Sequence, residues 1–260
     1  MRPNAEKIII ITNIHHTISK RMMIPIKSLT IRYVFLIYAF FTGYFYFLLY
    51  TLLPFLKKHC ILHPALYWFI LGYFLFIPLF LFAILAVQKE KKIENKKTIH
   101  LLNISAFTKR DWKYAIIGLI CLLLLSGMIF FISHVFYKLF GFKPLQTTPW
   151  FIEFRPFMGL EKLYLFIWLP MFFFNIVGEE ILWRGFLQSR IEKKRFWVIS
   201  SVLWMFFHLP FGLDLIIVLI PTLIIIPYCF YKTQNTLVGI FIHGLYNGPL
   251  FIALSLGLLK

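Results

Sequence analysis

A run of twenty residues, FIWLPMFFFNIVGEEILWRG at Phe166–Gly185, carries most of the information about the fold. Most of its side chains are apolar, and about twenty apolar residues are what a helix needs to cross the hydrocarbon core of a bilayer. Two adjacent carboxylates, Glu179 and Glu180, nevertheless lie inside it. A carboxylate at that depth costs about 3 kcal/mol on insertion scales, so such residues persist mainly where they are paired or functional.

The rest of the chain shares this apolar character. Hydrophobic residues make up 60% of the 260 residues, the mean hydropathy is +0.81, and charged residues account for only 14%. A soluble domain is closer to half apolar and a quarter charged. One water-soluble core of ordinary size cannot hide this much apolar surface, whereas a bilayer accepts it. The composition therefore predicts a polytopic membrane protein.

Seven apolar segments have roughly the length of a membrane span, which predicts an all-α transmembrane bundle of about seven helices, within a range of six to eight. The fifth segment is short, so it is expected to be tilted or re-entrant. Four prolines inside the apolar runs predict kinked helices: Pro170, Pro221, Pro227 and Pro249. The segments are 31–56, 65–88, 112–137, 163–189, 196–210, 213–231 and 235–259.

The positive charge is distributed as in a membrane protein. The formal net charge is +17, but Lys and Arg lie in short clusters between apolar runs, which fits loops facing anionic lipid and disfavours nucleic-acid binding. With the N-terminus inside, the inner loops hold nineteen Lys and Arg against seven outside. This bias predicts a multi-pass cell-membrane protein with a cytoplasmic N-terminus. The Lys-, Ile- and Phe-rich composition suggests a bacterial plasma membrane.

The two buried carboxylates differ in what they can pair with. Arg184 follows Glu180 by four residues, the favourable order for an ion pair on one helix face. A structural salt bridge accounts for those two residues. Glu179 points about 100° away around the helix, and no second cation lies near it in the sequence. One carboxylate is therefore left for another purpose.

Two histidines lie well within the later apolar helices. His208 is in the fifth segment and His243 is in the last. Asn247 follows His243 by four residues, so the side chains of His243 and Asn247 project from one face of the last helix. At 1.5 Å per residue, Glu179, His208, His243 and Asn247 lie about 12–18 Å from the inner ends of their helices. This shared depth predicts a single buried polar site, opening toward the cytosolic side. Three glycines would let a helix or substrate approach closely: Gly239, Gly244 and Gly248.

This residue set is suited to amide hydrolysis. A Glu and a His can hold a water and take its proton, while a second His and an Asn can donate hydrogen bonds to the developing oxyanion. One Glu and two His are also a known ligand set for catalytic zinc, which would here be Glu179, His208 and His243. Since HExxH is absent, the cofactor stays open between none and a divalent metal such as zinc.

Three motifs, in this order, resemble those of the CPBP (Abi) family of CAAX prenyl endopeptidases and bacteriocin-processing or bacteriocin-immunity membrane proteins. GEEILWRGFL (Gly178–Leu187) resembles its EExxxR motif, WMFFHLPFG (Trp204–Gly212) its FxxxH motif, and HGLYNG (His243–Gly248) its HxxxN motif. The resemblance covers about residues 112–255. It divides the chain into a basic N-terminal segment with two transmembrane helices (1–111) and a CPBP-like intramembrane peptidase core (112–260).

The resemblance also implies a role for each motif residue. Glu179 and His208 would activate water, and His243 and Asn247 would form the oxyanion hole. The residues implied to brace the site are Glu180 and Arg184. The family has been described both as metallopeptidases and as glutamate-dependent peptidases, so it leaves the metal question open.

The sequence departs from the family pattern at one position. Trp204 stands where the second motif usually has Phe, and we expect this larger ring to line the substrate pocket.

Three functions are compatible with these residues. The first is an intramembrane endopeptidase that acts on a membrane-associated peptide or protein within the lipid bilayer. The second is a bacteriocin-immunity or peptide-binding membrane protein without proteolysis. The third is a proton- or cation-coupled transporter, since buried Glu and His can relay protons. The absence of paired halves in the sequence disfavours the transporter.

Overall fold

The computed structural model of the chain describes residues 28–94, 97–153, 155–191 and 195–258. These residues form helices and loops, with no β-strand among them, so the all-α prediction is confirmed. Within the same residues, six helices are long and apolar enough to cross a membrane, and a shorter apolar helix covers Phe196–Phe211. About seven spans are consistent with this count. The basic N-terminal lead-in at 1–27 and the loop residues 192–194 lie outside the described residues.

The observed helices agree with the predicted segments to within several residues at most ends. The prolines predicted inside the spans lie within α-helices, Pro170 in the fourth span, Pro221 and Pro227 in the next long one, and Pro249 in the last. The helices are α1 (Ile31–His59), α2 (Pro64–Glu94), the short α3 (Thr98–Leu101), α4 (Lys109–Phe140), α5 (Gly159–Arg190), α6 (Phe196–His208, extended by a 3₁₀ turn at Leu209–Phe211), α7 (Leu213–Thr233) and α8 (Thr236–Ser255).

Local sequence signals explain several helix ends. Thr108 and Asp111 form a capping box at the start of α4: the Thr108 hydroxyl accepts from the Asp111 N–H at 3.2 Å, and the Asp111 carboxylate accepts from the Thr108 N–H at 2.9 Å. Gly141 ends that helix with φ +70°, a left-handed conformation that glycine adopts without a Cβ clash. Asn235 caps α8 by accepting from the Leu237 N–H at 3.2 Å.

Helix α5 is largely buried from Ile176 to Arg190, whereas its first half also carries exposed side chains. It packs against α2 and α8, and Tyr38 of α1 stacks on its Trp183 with ring centroids 4.2 Å apart. Helix α4 packs on α7 and α8 and presents exposed Ile and Leu side chains on its outer face, as expected of a helix bordered by lipid. The first two helices thus contact the motif-bearing helices directly. The division of the chain at residue 111 stays a prediction.

One end of the bundle is filled by polar contacts. Arg190, at the end of α5, is 1% exposed and donates to Glu90 at 2.7 Å and to the Leu101 carbonyl at 3.1 Å. Beside it, the Thr236 hydroxyl donates to the Leu102 carbonyl at 2.6 Å. These contacts join α2, α3, α5 and α8 at the end that carries the predicted inner loops. The chain therefore closes this end with its own side chains.

Candidate active site

The two adjacent carboxylates stand where α5 changes its winding. The α-helical part ends at Glu180, and Ile181–Leu187 continues as a π-helical stretch. Such stretches inside α-helices are uncommon and occur frequently at functional sites. Glu179 is only 2% exposed and Glu180 is fully buried. Both carboxylates therefore depend on protein partners.

Glu179 receives three hydrogen bonds from neutral donors. The Asn175 amide donates to Oε1 at 2.9 Å, while the indole N–H groups of Trp204 and Trp183 donate to Oε2 at 2.7 and 3.3 Å. Each carboxylate oxygen can accept about two hydrogen bonds. Among the described contacts, Oε2 has two donors and Oε1 has one. Oε1 is therefore the oxygen with acceptor capacity for a further donor such as water.

Glu180 joins α5 to α8. Its Oε1 lies 2.9 Å from Nδ1 of His243, and its Oε2 lies 3.4 Å from Nε of Arg184. The expected i, i+4 ion pair is thus present, although at a distance typical of a weak contact. The Arg184 guanidinium also lies over the Trp204 ring at 3.5 Å, close enough for a cation–π interaction. Glu180 therefore orients an imidazole as well as pairing with the arginine.

The tautomer of His208 follows from its backbone contact. Its Nδ1 lies 2.8 Å from the Trp204 carbonyl oxygen, and a carbonyl can only accept, so Nδ1 carries the hydrogen. In the neutral ring this leaves Nε2 as an acceptor. The indole of Trp204 meets the rings of His208 and His243 edge to face, with centroids 5.3 and 5.6 Å apart. One tryptophan thus contacts both imidazoles and Glu179.

All four predicted catalytic residues line one cavity. Glu179 of α5, His208 of α6, and His243 and Asn247 of α8 border a space of about 520 Å³, and Trp204 lines it too. This volume is within the usual range for ligand sites. The remaining lining is mostly apolar and aromatic, and includes Phe69, Phe76, Trp168, Met171, Phe172, Leu219, Tyr246 and Phe251.

The lining of the cavity extends toward the end of the bundle that carries the predicted outer loops, whereas the sequence predicted an opening toward the inner end. This lining extends through Trp68 near the start of α2, Thr147 and Pro149 in the loop after α4, and Leu215 near the start of α7. This is the end opposite the Arg190 contacts. The four residues do line one cavity, but its direction depends on how the helices and loops pack, which the position of a residue along its own helix does not report.

The described residues contain no group of three or more His, Cys, Asp or Glu side chains arranged to hold a metal ion. The possible zinc ligands Glu179, His208 and His243 border the same cavity, yet they do not form such a group. The arrangement of these three side chains therefore does not fit a metal centre.

Two residues of the site were missed by sequence reasoning. Asn175 and Trp183 both donate to Glu179, and they lie four residues before and four residues after it. That spacing places all three near one helix face. The sequence could therefore have predicted that the Asn175 amide and the Trp183 indole N–H donate hydrogen bonds to Glu179. Trp204 was expected to line the pocket, and it also donates to the carboxylate.

Fold and site together define a multi-pass helical membrane protein with a carboxylate, two histidines and an asparagine around one buried cavity. Residues 161–248 match the family model of the type II CAAX prenyl endopeptidases, Rce1-like. The match confirms the predicted resemblance to the CPBP (Abi) family and spans α5 to the HxxxN motif of α8. At the level of the family it supports a CAAX-type intramembrane protease. No curated protein and no solved structure matches the chain.

Proposed function

We propose that this protein is an intramembrane endopeptidase that hydrolyses a peptide bond of a membrane-associated peptide or protein with water activated by Glu179 and His208. The observation that carries the proposal is the convergence of Glu179, His208, His243 and Asn247, from three helices, on one cavity. The family match over residues 161–248 supports protease chemistry.

The hydrogen bonds assign a task to each group. Water is held between Oε1 of Glu179 and Nε2 of His208, the two acceptor atoms left available by the contacts described above. Glu179 takes a proton as the water oxygen bonds to the peptide carbonyl carbon. When the C–N bond breaks, the same proton passes from Glu179 to the leaving amine. Proton uptake and release at one carboxylate balance the reaction.

His243 and Asn247 stabilise the oxyanion. The contact between Nδ1 of His243 and Glu180 leaves Nε2 as the ring nitrogen that faces the oxyanion, to which it donates when it carries a hydrogen. Asn247 lies one turn further along the same face of α8 and supplies an amide N–H. Donors placed for the developing charge are worth about 10²–10³ in rate each.

The location of the cavity bears on the substrate. In the orientation favoured by the basic residues, with the N-terminus in the cytoplasm, the end of the cavity lined by Thr147 lies away from the cytoplasm. A leader peptide or peptide pheromone at a bacterial plasma membrane fits this arrangement. The division into a basic two-helix segment (1–111) and a peptidase core (112–260) is part of the same proposal.

The test compares new N-termini in membranes from cells that produce wild-type protein, Glu179→Gln or Glu153→Gln. Glu153 is a matched control because its side chain is 82% exposed. General acid–base groups contribute about 10²–10⁴ in rate, so we expect the termini with wild-type and Glu153→Gln but not with Glu179→Gln. Purified protein with and without a strong chelator then decides whether a divalent metal takes part.

The alternative of a binding or immunity protein has its own outcome. If a Glu179→Ala, His208→Ala double variant protects cells from a bacteriocin as well as wild type does, proteolysis is not the function. Undiminished cleavage by Glu179→Gln would remove the general-base role.

A further inference from the structure

A second cavity lies on the outside of the bundle between α5 and α8. This α5–α8 groove has a volume of about 530 Å³ and is lined by apolar residues, among them Pro170, Phe173 and Ile176 of α5 with Ile240 and Gly244 of α8. Phe173 is 51% exposed, as expected of a side chain that meets lipid. Any occupant of this groove is therefore apolar and embedded in the bilayer.

One aromatic ring stands between the groove and the central cavity. Phe172 lines both spaces. Its ring stacks on Trp168 at 4.6 Å and lies against α8 at Gly248, where an added Cβ would come within 3.1 Å of it. Since glycine leaves no side chain there, the ring occupies part of the gap between α5 and α8. Among the described residues, Phe172 is the one lining residue that the two spaces share, so its movement would connect them.

The groove lies level with the reacting groups. Ile176 precedes Glu179 by less than one helical turn, and Gly244 directly follows His243. Helix α5 is also weakened on this stretch, because Pro170 lacks the N–H that would bond to the preceding turn. A segment lying in the groove would have its backbone at the depth of Glu179.

We propose that a membrane-spanning apolar segment of the substrate docks in the α5–α8 groove and reaches the cavity sideways when the Phe172 ring turns away. This inference rests on the proposed peptidase function. A spanning segment matches the groove in polarity and depth. It also carries a peptide bond, whereas a lipid chain in the same groove would only fill it.

A reversible lock across the groove tests the proposal. A Cβ added at Gly244 would lie 3.7 Å from Cγ2 of Ile176, a separation compatible with a disulfide between Ile176→Cys and Gly244→Cys. The background has Cys60, Cys121 and Cys229 replaced, since these are the free cysteines among the described residues. Each single cysteine variant serves as the control for the pair.

Two probe peptides contain the same cleavage site, which is the one identified by comparing new N-termini in wild-type and variant membranes. The first is a single-span peptide of about 22 residues in vesicles, and the second is a six-residue peptide in detergent. Oxidation of the cysteine pair is expected to stop cleavage of the spanning probe, and reductant is expected to restore it. The short probe is expected to be cleaved under both conditions. If the oxidised double-cysteine variant cleaves the spanning probe at the rate of the controls, the groove inference is overturned while the proposed function stands. If neither probe is cleaved even by wild type, the proposed function itself fails.

A photocrosslink provides a readout that does not need activity. Benzoylphenylalanine replaces Phe173 in the Glu179→Gln background, and the control carries it at Leu124 of α4, a lipid-facing residue that is 69% exposed. We expect adducts with the spanning probe at position 173 and only lipid adducts at 124. Lipid adducts alone at both positions assign the groove to acyl chains and overturn the inference.

Discussion

Replacing Trp204 by Phe tests the role of an indole N–H that the family pattern does not provide. The change keeps an aromatic ring beside Arg184 and both imidazoles but removes the donor that lies 2.7 Å from Oε2 of Glu179. Trp183 still donates to the same oxygen, at 3.3 Å. Glu179 then loses the shortest of its three hydrogen bonds.

The magnitude follows from the kind of bond that is lost. A hydrogen bond to a charged group contributes about 1.5–3 kcal/mol, and each 1.36 kcal/mol of barrier is a factor of ten in rate. If that energy holds Glu179 in position for the transition state, kcat falls about 10–100-fold while KM changes little. Trp183→Phe removes the longer bond and should reduce kcat less.

The assay measures kcat and KM separately on the short probe peptide. Trp197→Phe is the matched control, because Trp197 lies on the same helix and its ring packs on Tyr228 outside the cavity lining. A raised KM with unchanged kcat in Trp204→Phe would show that Trp204 only shapes the pocket. Activity equal to that of Trp197→Phe would refute the hydrogen-bond argument.

Three further predictions concern packing, a buried ion pair and topology. Gly239→Ala places a methyl group against the carboxylate of Glu180, so we expect about 1–3 kcal/mol lower stability from overpacking, together with lost activity. Glu90→Gln leaves the buried guanidinium of Arg190 without its charged partner and should cost about 3 kcal/mol, measured as a lower melting temperature in detergent. A cysteine at the exposed Gln146 should react with an impermeant maleimide on intact cells, because the predicted orientation places it outside.

Each of these predictions has a matched control. Gly127→Ala adds the same methyl group on α4, where nothing lies within 4 Å. Glu153→Gln breaks the exposed pair with Lys57, which should contribute less than about 1 kcal/mol. A cysteine at Lys97 should be labelled only after the cells are opened. Labelling of position 97 but not position 146 on intact cells would show that the orientation is the opposite of the predicted one. Equal melting temperatures for the Glu90 and Glu153 variants would contradict the stabilising role of the Arg190–Glu90 pair.

The sequence alone was sufficient for the all-α class, the approximate number of spans and their approximate bounds. These properties depend on quantities that can be counted along one chain: the length of an apolar run, the rise per residue and the cost of a charge in lipid. The pairing of Glu180 with Arg184 was predictable for the same reason, since both lie on one helix four residues apart.

The partners between helices could be assigned only from the tertiary structure. Trp204 donates to Glu179 across 25 residues of sequence, and His243 contacts Glu180 across 63. Such contacts depend on which helices are neighbours and on how each helix is rotated about its own axis. The periodicity of apolar residues along one helix predicts neither of these. The same holds for the direction of the cavity: its lining includes Thr147 and Pro149 of the loop after α4, while the contacts of Arg190 fill the opposite end of the bundle.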